Sequence, residues 1–422
     1  MEEFNILLTK HGIATILHNC YKSIFLFDYF CFMKNEQSRV IREQIPRSYL
    51  REHSSPLYLT SSFIFDSAEQ GRAVFAQEEE ALVYSRYSNP NTTEFINKVC
   101  IMEQAEAGLS FSSGMAAVFS SLAGLVRSGD HIVSSRAVFG STHQLLTELF
   151  PRWGITNTYV DATDKQGWED AIQENTKVLF VESPSNPGLE LIDLKHLASL
   201  KEKHPQLTLI IDNCFATPHL QKPLTFGFDL SLHSATKYMD GQGRVLGGIV
   251  VGSQELIDQL TFMLRHTGPA LSPFNAWILS KSLGTLALRM DKHCENALAV
   301  ANFLEQHKEV KLVRYPFLPS HPQFELAKQQ MKAGGGIITM VVKGGFERAK
   351  NMIDSLEMIK YTSNLGDSRS IATHPASTTH SKLSQEQRAV LGIQEGSIRL
   401  SIGLEDVNDI IEDIDRALLK SK

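Results

Sequence analysis

Two hydrophobic periods alternate along the chain. Continuous apolar runs of strand length occur at HIVSS (131–135), KVLFVES (177–183), LTLIIDN (207–213), DLSLHS (229–234) and GGIVVGS (247–253). Runs that lack polar alternation suit strands covered on both faces. Between them lie helix-like stripes. The strongest joins Met115, Val118, Phe119, Leu122, Leu125 and Val126 at spacings of three and four. Segments 141–150 and 193–203 also read as helical. Buried strands alternating with helices predict a mostly parallel sheet with helices on both sides. After about residue 270 the pattern changes. A long helical stretch runs through NAWILSKSLGTLALRM, and separated strands follow at KLVRY, GIITMVV and SIRLSIG. That order fits a smaller α+β unit.

Length supports the division, because 422 residues exceed the about 250–300 at which one core stops growing. The expected layout is an unpacked extension or mis-assigned start over 1–32, an N-terminal arm over 33–88, a large domain over 89–288 and a C-terminal α+β domain over 289–422. The opening segment is apolar, yet Lys10, Lys22 and Asp28 interrupt it, and a membrane span needs about 20 largely apolar residues. A signal peptide begins basic, whereas this one begins Met1-Glu2-Glu3; Met33 is a candidate initiator.

Composition removes several classes of function. The chain is 42% apolar and 21% charged, with a net charge of −6 from 41 basic and 47 acidic residues. A nucleic-acid partner would need clustered Lys and Arg, and this much Leu, Ile, Val and Phe argues against disorder. The five cysteines, Cys20, Cys31, Cys100, Cys214 and Cys294, are odd in number and scattered. They suggest neither a disulfide framework nor a thiolate zinc site, and they point to the reducing cytoplasm.

The chemistry lies where strands end. In an open parallel sheet, ligands bind beyond the carboxyl ends of the strands. Asp212 follows the run Leu207–Ile211, and Ser234-Ala235-Thr236-Lys237 follows the run 229–233. A carboxylate and a lysine on one rim are what a pyridine cofactor held through a lysine amine requires. The acid keeps the ring nitrogen protonated, and the lysine carries the cofactor and then moves protons at the substrate α-carbon. Ser112-Ser113-Gly114-Met115 opens the best helical stripe, so its amides can bind a phosphate. Either signal alone is weak; an Asp after a strand is more often a loop cap, and an isolated S-x-T-K is usually surface.

Together these segments resemble the cystathionine γ-synthase-like group, the pyridoxal-phosphate enzymes of cysteine and methionine metabolism. The matching stretches are YSRYSNPN (84–91), SSGMAA (112–117), VESPSNP (181–187), DNCFATP (212–218), SATKYMDGQGRVLGG (234–248), HPASTTH (374–380) and RLSIGLED (399–406). The resemblance implies the aspartate-aminotransferase-like α/β fold (fold type I) and pyridoxal 5'-phosphate as cofactor. Lys237 would bear the cofactor and Asp212 would pair with its pyridinium. Ser113, Gly114, Met115, Ser234 and Thr236 would bind the phosphate. Tyr84 and Arg86, in the arm, would reach the neighbouring subunit's phosphate, making an active-site-sharing dimer and from two of these a homotetramer. Arg399 would clamp the substrate α-carboxylate, and Asn186 would sit near the cofactor's phenolic oxygen.

Two positions depart from the lyase pattern. Phe139 stands where the lyases carry a ring-stacking tyrosine, and Asn364-Leu365-Gly366 replaces Ser-Leu-Gly. With DGQGR (240–244), these variants resemble the homoserine-ester sulfhydrylases of the group, those using the O-succinyl ester most of all. The implied reaction is γ-replacement by sulfide on O-succinyl- or O-acetylhomoserine to give homocysteine, in methionine biosynthesis. Asn364 would then face the substrate. A cystathionine γ-synthase or γ-lyase, or a methionine γ-lyase, is the alternative.

Other chemistries fit poorly. Gly241, Gly243 and Gly247 space as G-x-G-x-x-x-G, not as the nicotinamide fingerprint, and no G-x-S-x-G surrounds Ser112 or Ser113. His374 and His380 have the wrong spacing for one helix face and no third ligand, so no metal is expected; both read as polar loop residues. A non-catalytic binding protein would be expected to have lost Lys237 or Asp212.

Overall fold

The fold, seen in a computed structural model, covers residues 33–378, 381, 388 and 392–421; the expected extension over 1–32 lies outside the described residues. Seven strands form the larger sheet: β1 Ala107–Phe111, β2 His131–Ser135, β3 Thr156–Val160, β4 Thr176–Glu182, β5 Thr208–Asp212, β6 Leu230–Ser234 and β7 Gly248–Gly252, in the order β1-β7-β6-β5-β4-β2-β3. All run the same way except β7, which is antiparallel to both β1 and β6. The five apolar runs are β2, β4, β5, β6 and β7. β3 escapes that pattern because it is an edge strand, half-exposed along TNTYV, and so needs no continuous apolar run.

Side-chain alternation sends successive residues to opposite faces. Phe180, Ile210, Leu230 and Leu232 pack with the helices Gly114–Leu125 and Gln254–Thr267, while Leu179, Val181, Leu209 and Ile211 pack with the helix Leu194–Lys203. Continuing that alternation, Glu182 and Asp212 at the ends of β4 and β5 point to the face of the helix Gly114–Leu125. They are direct neighbours in the parallel register.

A second sheet of five strands has the order β10-β11-β12-β9-β8. Its strands are β8 Val310–Arg314, β9 Ile337–Val342, β10 Lys360–Tyr361, β11 Ile371–Thr373 and β12 Ser397–Ser401. Ile338, Met340, Val342, Ile398 and Leu400 bury one face under the helices Leu286–Gln306, Gly345–Asp354 and Val407–Lys420. The alternate residues Thr339, Arg399 and Ser401 face the other way, toward the larger sheet. Thr339 Oγ1 donates to the Pro187 carbonyl at 2.5 Å.

Two helical readings change on inspection. The stretch NAWILSKSLGTLALRM is not one helix but two, Pro273–Leu283 and Leu286–Gln306, parted at Gly284 and Thr285. Glycine and a β-branched residue are weak helix formers. Segment 141–150 starts as an α-helix at Gly140–Gln144, widens into a π turn at Leu145–Leu149 and tightens to a 3-10 turn from Phe150. Pro151 cannot supply the amide a continuing helix needs.

Candidate active site

The loop after β1 builds an anion cradle. Ser113 caps the helix Gly114–Leu125 by accepting from the Ala116 amide at 3.1 Å, leaving the first helical amides directed outward. Gly114 abuts the end of β6 so closely that a Cβ there would lie 2.6 Å from the Ser234 Cβ. A side chain at 114 would close the cradle. Thr236 Oγ1 exchanges hydrogen bonds with Gly247, accepting from its amide at 3.1 Å.

Lys237 lies three residues beyond the end of β6. Its Nζ donates to Asn364 Oδ1 at 2.6 Å. Burial lowers its pKa from the usual lysine range, with the nearby Arg399 guanidinium adding to the effect and Cys214 opposing it. Asn364 is delivered by a loop whose Gly366 has φ +75° and would place a Cβ 2.7 Å from the Tyr238 amide nitrogen. That close approach explains the glycine two residues after Asn364.

Asp212 accepts from the Cys214 amide at 3.0 Å. Burial pushes its carboxyl above the ordinary range, against the opposing pull of that amide and of His233. Cys214 is held neutral by burial and by Asp212, so the thiol beside the site is not a nucleophile.

Arg399 crosses from the smaller sheet. It is 3% exposed, and donates to Asn186 Oδ1 at 3.1 Å and to the Ser363 and Asn364 carbonyls at 3.1 and 2.9 Å. Its Nε has no partner, and burial pulls its pKa down to about 10. Among the described residues no carboxylate pairs with it. A buried guanidinium without an acid is costly until an anion arrives. This one is ready for a carboxylate.

Phe139 is 39% exposed, and its amide donates to Glu182 Oε2 at 2.8 Å. The structure therefore brings Lys237, Asp212, Asn186, Asn364, Arg399 and Phe139 toward the Ser113–Gly114–Met115 and Ser234–Thr236 cradle. Tyr84 and Arg86 keep other company. The Arg86 side chain bonds the Arg265 carbonyl and lies over Tyr87, 4.8 Å from the ring centre, while Tyr84 is exposed.

Glu182 is a strand-end acid to which the sequence pattern assigns no role. It ends an apolar strand as Asp212 does, so the same signal was present. A second unanticipated group lies on the opposite side of the sheet, where buried Glu103 accepts from His233 Nε2 at 2.6 Å, Ser231 Oγ at 2.9 Å and Asn213 Nδ2 at 3.1 Å. Its helix carries no mark that separates it from a surface acid. His374 is buried, bonding Ser377 Oγ and the Glu395 carbonyl, both at 2.9 Å, so it is a structural side chain and not an open loop residue. His380 lies outside the described residues.

A lysine, a strand-end aspartate and a glycine-floored cradle on one rim define a pyridoxal-phosphate site of fold type I. The chain belongs to the Cys/Met metabolism PLP-dependent enzymes, whose family profile matches residues 37–419. It is 46% identical to O-succinylhomoserine sulfhydrylase of Pseudomonas aeruginosa, over 87% of this chain and 91% of that one. It is 45% identical to L-methionine gamma-lyase of Treponema denticola, over 87% and 92%. A crystal structure of a putative O-acetylhomoserine (thiol)-lyase from Campylobacter jejuni, containing N'-pyridoxyl-lysine-5'-monophosphate, superposes with TM-score 0.88 at 33% identity, covering 91% of this chain and 100% of that one. Pyridoxal phosphate is the cofactor, and the substrates are small amino acids of methionine metabolism. Among the described residues no helix is long and apolar enough to cross a membrane.

Proposed function

We propose that this enzyme replaces the γ-acyloxy group of O-succinyl- or O-acetylhomoserine with sulfide, giving homocysteine, in the cytoplasm. The observation that supports the reading is Phe139, an exposed ring with no acidic proton, whose amide is tied to Glu182 beside Asp212. The cofactor would supply an electron sink. Arg399 holds the α-carboxylate through its fork. Lys237, whose pKa burial lowers, would take the α-proton and then a β-proton. The γ C–O bond breaks and the carboxylate leaves with its electron pair. Hydrosulfide forms the C–S bond at the same carbon, and Lys237 returns protons to carbon. Asp212 would hold the ring proton, Asn186 would sit beside the ring hydroxyl, and Asn364 would receive the Lys237 ammonium. Ser113, Gly114, Met115, Ser234 and Thr236 would hold the phosphate.

A γ-elimination enzyme is the second reading, favoured by nearly equal likeness to a methionine gamma-lyase, 45% against 46% for a sulfhydrylase. Elimination must protonate and release an unsaturated species that hydrolyses to a 2-oxo acid and ammonia. A stacking phenol offers an acid for that step, and Phe139 does not. With saturating sulfide, homocysteine should be the main product and 2-oxobutyrate minor. Phe139→Tyr should raise the 2-oxobutyrate share while retaining cofactor. Wild-type product dominated by 2-oxobutyrate would assign the chain to the lyases.

The assembly is part of the proposal. The arm over 33–88 would place Tyr84 and Arg86 against the phosphate bound by the large domain of a neighbouring subunit, in dimers paired into a tetramer. Arg86→Ala should weaken cofactor retention. Mixed with inactive Lys237→Ala subunits, it should regain part of its activity, since one of the two sites in a mixed dimer is intact. No recovery after demonstrated subunit exchange would put Arg86 outside the neighbour's site.

A further inference from the structure

Glu182 is 6% exposed and forms no ion pair with Lys, Arg or His among the described residues. Burial and the Asp212 carboxylate beside it both raise its pKa. Such a group is costly to keep at the end of a strand. Its contacts show what it does there. Oε2 accepts from the Phe139 amide at 2.8 Å, and Oε1 accepts from the Asn186 amide at 3.1 Å. These amides belong to different loops, one after β2 and one after β4. The short helix Gly140–Gln144 that Phe139 opens lacks a side-chain cap, and the Phe139 amide takes Glu182 as its partner. Asn186 passes the constraint onward, since its Oδ1 receives Arg399 Nη1 at 3.1 Å.

We infer that Glu182 is a positioning residue that ties the ring of Phe139 to the carboxylate clamp at Arg399, one oxygen for each loop, with Asn186 as the link. Only a group with two coplanar acceptors meets both amides. An amide side chain accepts through one atom and releases one loop, and an aliphatic side chain releases both and leaves two N–H groups without this partner. The consequences separate. Freeing the Phe139 loop would disturb the ring that, on the proposed function, stacks on the cofactor, whereas freeing Asn186 would loosen Arg399.

The test uses the loaded enzyme and two readouts besides turnover: visible circular dichroism of the cofactor band, and affinity for the unreactive amino acid glycine from its spectral shift. Glu182→Leu should reduce the dichroism and weaken glycine binding about tenfold, the size expected for one lost buried hydrogen bond. Glu182→Gln should impair one of the two readouts and spare the other. In an Asn186→Ala background, Glu182→Leu should cause no further loss of glycine affinity, while its effect on the dichroism persists. Additive losses in glycine affinity would overturn the link through Asn186. If Glu182→Leu does not fold, Glu182→Gln decides, and the proposal fails if that variant leaves both readouts at wild-type values.

Discussion

Lys237→Ala is expected to yield a folded protein without the visible absorption band that borohydride abolishes in the wild type, and with turnover lower by at least about 10⁴-fold, the upper range for removing a general acid–base. The geometry argues for a selective effect. Lys237 Nζ makes one side-chain hydrogen bond, to Asn364, and its neighbours Ala235, Tyr238 and Met239 are buried apolar residues that stay in place. The fold should therefore survive, with a melting temperature close to that of the wild type. What disappears is a buried amine whose pKa burial lowers. Absorbance spectra, melting and product formation on one preparation check this. A colourless variant with wild-type turnover would remove Lys237 from the reaction altogether.

The elements that sequence made legible are those whose environment is uniform along their length. β2 and β4 to β7 are buried on both faces, so their apolar runs stand out, and Asp212 and Lys237 follow as the polar residues at their ends. β3 is half-exposed and β10 has two residues, too little for any period. Glu182 shows that the strand-end signal is broader than the roles attached to it. Two acids end neighbouring strands in register, and sequence alone does not say which one faces a ring. Arg399 is different. Its meeting with Asn186, 213 positions away, depends on how two sheets pack, and only family resemblance points to it. The structure adds the physical reason: alternation along β12 turns Ile398 and Leu400 into the smaller core and leaves Arg399 on the face toward the larger sheet.

Asp212→Asn should reduce turnover about 10²–10³-fold, comparable to the loss of one preorganised electrostatic partner, and should weaken pyridoxal phosphate binding by the apoprotein. The substitution is close to isosteric and keeps an oxygen for the Cys214 amide, which Asp212 now receives at 3.0 Å; local structure should hold. The charge is what changes. One proton shared between a carboxylate and a ring nitrogen makes a strong pair, and an amide cannot supply the negative half. The pH dependence follows from the raised carboxyl of Asp212, whose cause is burial. Near neutral pH the carboxylate would be ionised and would pair with the protonated ring. As pH falls through the raised value, Asp212 takes up its own proton, so one of two protons must be expelled before the ring can dock. A protonated aspartate is then as neutral as an asparagine. The affinity advantage of wild type over Asp212→Asn should accordingly be largest near neutrality and shrink from about pH 7 to about pH 5, because the proton removes the charge that separates the two proteins. Equilibrium titration of both apoproteins with pyridoxal phosphate across that range measures it. An affinity ratio that does not change with pH would mean that ionised Asp212 is not the group that holds the ring.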